Sequence, residues 1–346
     1  MLSYSVTELT DPHDFARWDA FVDACPETTF FHRAGWKPVI EESFGQRCHF
    51  LMAERAGAIR GILPLTLVKS RLFGTRLVST GWCVGGGAAL TEDAALPALD
   101  AAAESLMQRT GAAYIEVRDP ARPHAQWPRK EGLYATFDRT TEAEEDACLK
   151  QIPRKQRAVV RKALKSDMTW RRDDDVDTCW TLYARSMRGL GTPVFARRYF
   201  RALKRTFGDA CDVLTVATAE GAPLSSVLNF YFRDRVLPFY TGAVPEARTT
   251  GAADLMYYRL MRDSVARGYP VFDFGRSKVD TGPFAFKKNW GFTPRAVIHE
   301  FRLREGEAMP DVNPNNPKYR RMIALWKRLP LPVANTLGPW IGRQVG

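Results

Sequence analysis

Long apolar runs, clustered cysteines and histidines, and acids in two stretches of the chain are what this sequence lacks. Nowhere do the roughly 18 consecutive apolar residues of a spanning helix occur, so no transmembrane helix is expected. Met1-Leu2-Ser3-Tyr4-Ser5 shows no basic stretch running into an apolar core, so no signal peptide is expected either. The six cysteines (Cys25, Cys48, Cys83, Cys148, Cys179 and Cys211) are dispersed without a CxxC pair, and only His49 neighbours one of them. That pattern fits a reduced, cytosolic chain with no metal site. The five histidines form no Ser-His-Asp or Cys-His constellation, so covalent nucleophilic catalysis is not expected.

The missing acids matter most. None falls between 154 and 165, which holds Arg154, Lys155, Arg157, Arg161, Lys162 and Lys165. None falls after Asp311, a tail carrying Lys318, Arg320, Arg321, Lys327, Arg328 and Arg343. These two runs carry much of the net charge of +11 and point toward polyanions: nucleic acid, phosphorylated substrates or anionic lipid. In the tail, Met322, Ile323, Leu325, Trp326 and Leu329 lie near one helical side among those cations, a mixture suited to shallow membrane contact or to packing on the protein's own core.

What the chain does contain is a repeat. Phe44, Gly45, Cys48 and Leu51 recur as Phe207, Gly208, Cys211 and Leu214, each 163 residues on, and turns follow at Gly57 and Gly221. The helix end, glycine and strand of Arg109-Thr110-Gly111 to Val117 match Arg267-Gly268-Tyr269 to Phe274. A period this long means a duplicated domain, and 346 residues suffice for two cores. Strand–turn–strand, helix, strand in each half predicts an α/β (α+β) fold, a mixed sheet flanked by helices in each domain. The expected division is a first domain over 1–141, a basic helical linker over 142–170, a second domain over 171–305 and a basic amphipathic tail over 306–346.

Three segments carry candidate chemistry. The strand Val271–Phe274 runs into Gly275-Arg276-Ser277-Lys278, which sets cations at a strand's C-terminal end, where ligands gather in open α/β sheets. Arg276 and Lys278 are therefore candidates for binding an anionic part of a substrate, and Asp273 and Tyr240 are possible general bases. The segment continues through Phe284 to Phe292 and reads as a second aromatic strand. Next, Arg248-Thr249-Thr250-Gly251-Ala252-Ala253 opens a helix with small residues, whose free N–H groups suit a pyrophosphate. Arg248, Gly251 and Ala253 are the candidates for holding those phosphates. Third, Arg157, Arg161 and Lys165 share one face of a helix with Val159, Val160 and Ala163 opposite; Arg157 and Arg161 suit a diphosphate or an RNA acceptor stem. Trp36 and Asn229 complete the substrate-side candidates.

The Arg-x-x-Gly-x-Ala spacing resembles the acyl-coenzyme A loop of GNAT N-acyltransferases. The duplicated plan, the basic segment Ile152-Pro153-Arg154-Lys155-Gln156-Arg157, and Asp273-Phe274-Gly275-Arg276 with Phe286-Lys287-Lys288-Asn289-Trp290-Gly291-Phe292 resemble the FemAB family. More narrowly, Phe31-His32-Arg33-Ala34-Gly35-Trp36, the run from Asn313 to Arg320 and Leu325 to Pro330 look like the FemAB-related proteins of exosortase and PEP-CTERM systems. The resemblance implies two tandem GNAT-like domains and transfer of an acyl or aminoacyl group to an amine in cell-envelope assembly, of peptidoglycan or exopolysaccharide. It implies no tightly bound cofactor, an acyl-CoA or aminoacyl-tRNA donor, and a lysine at the reaction centre, here Lys287. The 142–165 stretch holds one helix of moderate length in place of the long coiled-coil arm of some Fem proteins, which favours an acyl-CoA-type donor. An envelope saccharide or lipid-linked precursor is the expected acceptor, with no DNA partner, in the cytoplasm or against the inner face of its membrane. The alternative is a non-catalytic scaffold of the same fold that binds envelope precursors or partner proteins.

Overall fold

A computed structural model describes residues 3–71, 73–310 and 317–345. The chain begins β1 (Ser5–Glu8), α1 (Pro12–Ala24), α2 (Trp36–Phe44), β2 (Arg47–Arg55), β3 (Ala58–Ser70), β4 (Gly74–Ser79), β5 (Ala89–Leu90), α3 (Leu96–Thr110) and β6 (Tyr114–Arg118). It continues β7 (Arg129–Thr136), β8 (Asp138–Thr140), α4 (Glu145–Gln151), α5 (Arg154–Leu164), β9 (Thr169–Asp173), α6 (Val176–Leu190), α7 (Arg197–Phe207), β10 (Cys211–Ala217), β11 (Pro223–Phe232) and β12 (Arg235–Ala243). It closes with α8 (Ala247–Thr250), α9 (Ala252–Ala266), β13 (Val271–Asp273), β14 (Ser277–Lys278), α10 (Gly282–Asn289), β15 (Arg295–Leu303), α11 (Pro317–Trp326) and α12 (Leu331–Val345).

Two compact units divide these elements. One gathers the residues up to Leu133 with 297–310 and 341–345; the other gathers Tyr134–Ala296 with 317–340. In the first, β2, β3 and β4 form an antiparallel meander and β4 then pairs parallel with β6, Leu77 opposite Ile115. In the second, β10, β11 and β12 form the same meander and β12 pairs parallel with β13, Arg235 opposite Val271. The outer strands correspond as well, since β1 lies antiparallel on β2 and β9 on β10. The repeat read from four residue pairs is thus a repeat of topology.

Local chemistry explains the turns and the packing. Ala56 and Gly57 both take positive φ (52° and 76°), the twist that a two-residue hairpin between β2 and β3 demands. Gly242 on β12 sits so close to α6 that a Cβ there would fall within the backbone of Tyr183. Only glycine fits. In the second unit β10–β13 pack with α9 around Leu214, Val227, Met256, Phe272 and Trp290, all buried.

The expected boundaries shift because each sheet takes its last strand from outside its own stretch of chain. β15 follows the second unit's sheet in sequence, yet pairs antiparallel with β6 of the first, Glu300 opposite Val117. β8 precedes the second unit's other strands and closes its sheet against β13, Phe272 opposite Arg139. Each parallel pair ends in an open edge that some strand must cover, and alternation along a strand does not say which sheet it joins. The segment expected to be a linker is likewise core: Cys148, Leu149, Ile152, Val160 and Ala163 are buried in the second unit. The presumed aromatic strand from Phe284 is the helix α10, opened by Gly282-Pro283 with proline in its first turn, where the missing N–H costs nothing. In the tail, Pro339 lies inside α12 rather than ending it; of the tail motif, residues 313–316 lie outside the described residues.

Candidate active site

The chemistry-bearing residues that come together lie at the end of β13 in the second unit. The parallel pairing of β12 with β13 lasts only two residues, Arg235–Val236 against Val271–Phe272, while β12 runs on to Ala243. β12 is also bulged: Leu228 faces Tyr240 and Asn229 faces Pro238, which leaves Phe239 as the extra residue. β13 ends at Asp273, and Gly275 turns the chain at φ 69°, a left-handed value natural to glycine. Asp273 accepts the Gly275 N–H at 2.9 Å and has the Arg235 guanidinium at 3.7 Å.

Lys287 on α10 is buried, at 8% exposure. Its Nζ donates to the carbonyls of Gly275 (2.9 Å) and Arg276 (3.2 Å) and lies 5.4 Å and 5.5 Å from the centres of the Phe137 and Phe274 rings. Burial among rings and carbonyls penalises the ammonium and brings its pKa down to about 7; Asp273 opposes the shift and Arg276 adds to it. Burial raises the Asp273 pKa, against the Gly275 hydrogen bond and Arg235. A buried lysine with a lowered pKa beside a buried carboxyl makes this the candidate site for acid–base chemistry in the second unit. Lys288, one residue on, is exposed. Arg276 lies over the Tyr134 ring at 4.3 Å, and Lys278 is half-buried on β14.

The cations of α5 also gather. Arg154, Arg157, Arg161, Lys162 and Lys165 line a groove of ≈ 640 Å³, with Arg157 Nε held on the Ile152 carbonyl at 3.1 Å. Val160 and Ala163 face the core, whereas Val159, expected beside them, is 37% exposed, since it lies one residue off their shared face.

Other expected site residues sit elsewhere. Tyr240 packs among Tyr183, Phe195 and Phe200, its hydroxyl 3.0 Å from that of Tyr199. Its neighbour Thr241 meets Tyr257 of α9 at 2.9 Å, and Tyr257 packs on Phe274 and Phe286. Successive strand residues point to opposite faces, so Tyr240 is on the face of β12 away from α10. Asn229 is fully buried, donating to Asp212 at 3.0 Å in a cluster with Tyr231, Arg172 and Arg267. Trp36 is fully buried in the first unit, with its Nε1 on the Phe30 carbonyl at 3.0 Å. All three are internal to the fold.

The donor loop is partly closed. Arg248 is exposed on α8, but the Gly251 N–H is bonded to the Ala247 carbonyl. A Cβ at Gly251 would meet Ala163 at 3.3 Å and Val159 at 3.4 Å, so its small size admits α5 rather than a ligand. Ala253 is half-buried in the first turn of α9. Asp254 joins this cluster without a signal in the sequence: burial raises its pKa while Trp290 Nε1 (3.2 Å) and Gln156 donate to it. An acid in a helix's first turn carries no signal beyond capping, and only the approach of α5 and α10 buries it.

Comparison with known proteins bears on the fold. The acetyltransferase (GNAT) domain family matches residues 147–288, a span that holds Asp273 and Lys287. No curated protein matches the sequence. Among solved structures, FemX is similar over 92% of this chain and 100% of its own, with a TM-score of 0.67 at 18% identity. L-PGS from Bacillus licheniformis is similar over 92% and 96%, with a TM-score of 0.54 at 12% identity. A tandem GNAT protein from the clavulanic acid biosynthesis pathway is similar over 87% and 98%, with a TM-score of 0.50 at 13% identity. The chain has a FemX-like tandem GNAT fold.

Proposed function

We propose that this protein transfers an acyl or aminoacyl group from a phosphate-bearing donor to an amino group of a cell-envelope precursor, with Lys287 at the reacting centre. The observation that carries the reading is the buried Lys287 beside Asp273, at the end of the briefly paired β12–β13, inside the span matched by the acetyltransferase family. In the reaction the acceptor nitrogen attacks the donor's carbonyl carbon and a tetrahedral oxyanion forms. Neutral Lys287 Nζ takes the proton lost by the attacking amine. As an ammonium it favours the negative charge on the oxyanion and then returns the proton to the leaving sulfur or oxygen as the bond from carbonyl carbon to donor breaks. Arg276 and Lys278 hold an anionic part of the acceptor, an exopolysaccharide- or peptidoglycan-related precursor at the inner face of the cytoplasmic membrane.

The α5 groove takes the donor's phosphates. Five cations exceed what one diphosphate needs, which favours a polynucleotide-borne group, as on aminoacyl-tRNA, over coenzyme A. The exposed Arg248 beside the Gly251 turn keeps acyl-CoA as the second reading.

Binding of aminoacyl-tRNA and of acetyl-CoA at low and moderate salt tests the choice. The first reading expects tRNA affinity to fall steeply with salt and by about tenfold or more in Arg157→Ala/Arg161→Ala. Binding of acetyl-CoA alone, nearly indifferent to salt and to that double substitution, would put the second reading first. Binding of neither would favour a scaffold.

A further inference from the structure

We propose that the outer face of α11 and α12 seats this protein on an anionic lipid surface. Both helices already have an inner face. Ala334 is buried, and Gly338 lies so close to Val194 that a Cβ would come within 2.8 Å of its backbone nitrogen. Ile323 packs on Gly191, and Arg188 Nε holds the Leu329 carbonyl at 3.1 Å. A surface helix docked in this way normally turns polar residues outward. Here the outward positions are apolar again. Val333, Leu337 and Trp340, spaced i, i+4, i+7 on α12, are 41%, 45% and 48% exposed; Met322 and Leu325 on α11 are 59% and 66% exposed. The core of the second unit accounts for one side of these helices and leaves this one uncovered.

Charge selects the occupant. The sequence after Asp311 contains six Lys or Arg and no acid, and Lys327, Arg328 and Arg343 are exposed beside the apolar positions. A second copy of the chain would set cations against cations. An anionic bilayer surface answers both features: the apolar side chains enter the acyl boundary, tryptophan takes its preferred interfacial depth, and each nearby cation gains from the surface potential. Among the described residues no helix is long and apolar enough to cross the bilayer, so the contact lies along its surface. The inference rests on this face alone and stands whether or not the transfer reading holds.

Flotation of the full chain with phosphatidylcholine vesicles, with and without phosphatidylglycerol, tests it. The wild type should float with the anionic vesicles, less with neutral ones, and less as salt rises. Leu337→Glu/Trp340→Glu, at exposed positions and checked for an unchanged circular dichroism melt, should lower partitioning about tenfold or more. Trp170→Glu, at an exposed tryptophan on β9, should float like the wild type. The proposal is overturned if the wild type stays unbound with anionic vesicles, or if the double variant floats equally well. It is also overturned if the face instead mediates a dimer that the double variant dissociates while vesicle binding is absent.

Discussion

Replacing Lys287 with methionine should change stability in a way that depends on pH, and the size of the effect follows from the site. The unfolded chain holds the lysine proton up to its ordinary value of 10.5, whereas the folded protein releases it near 7. Between those values the unfolded state binds more protons, so this residue's contribution to stability becomes less unfavourable as pH rises. At pH 6 the buried ammonium costs about 5 kcal/mol, and at pH 9, where it is neutral in the fold, about 2 kcal/mol. Methionine carries no such cost; it gives up the hydrogen bonds to Gly275 and Arg276, a loss of about 1–3 kcal/mol that does not depend on pH. Lys287→Met should therefore be more stable relative to wild type at pH 6 than at pH 9, by about 2.5 kcal/mol. Urea unfolding at both pH values, followed by a probe in the second unit, measures the difference. An offset equal at the two pH values would refute the depressed pKa and the proton-transfer role built on it.

Two further substitutions test the packing. Gly242→Ala would drive a methyl into the Tyr183 backbone and should cost about 3 kcal/mol or more in a thermal or urea melt, whereas a melt unchanged from wild type would mean that α6 does not sit on β12 as described. Asn229→Ala removes one of the donors to buried Asp212 and should cost about 1–3 kcal/mol while leaving acceptor KM at its wild-type value; a raised KM in a stable variant would return Asn229 to the substrate site.

The sequence carried the repeat well because its signals are local. Paired turns, the helix-ending glycines and short apolar runs between them are each decided within a few residues, and they place β2–β4 and β10–β12 with their order. The strand exchange was not legible, since β8 and β15 look alike whichever sheet they join and only the open edges of β13 and β6 decide. At the site, the Phe-Lys resemblance points to Lys287, but its burial depends on α10 being a helix against the Gly275 turn. For Tyr240 and Asn229 a polar atom in an apolar strand reads the same whether it faces a ligand or another buried side chain; Tyr199 and Asp212 supply those partners from distant segments. A glycine opening a helix reads the same whether a ligand or another helix approaches it; at Gly251 the approaching body is α5.

The most direct test of the central claim is transfer itself: radiolabelled acyl-CoA and aminoacyl-tRNA supplied with an envelope-precursor extract to wild type, Lys287→Met and Lys288→Met. The account predicts that label passes to an amine acceptor with the wild type, falls by about 100-fold or more in Lys287→Met, as for loss of one oxyanion donor, and stays near wild type in the exposed Lys288→Met. Equal transfer by the wild type and Lys287→Met would remove Lys287 from the mechanism, and no transfer from any donor would leave the fold a scaffold.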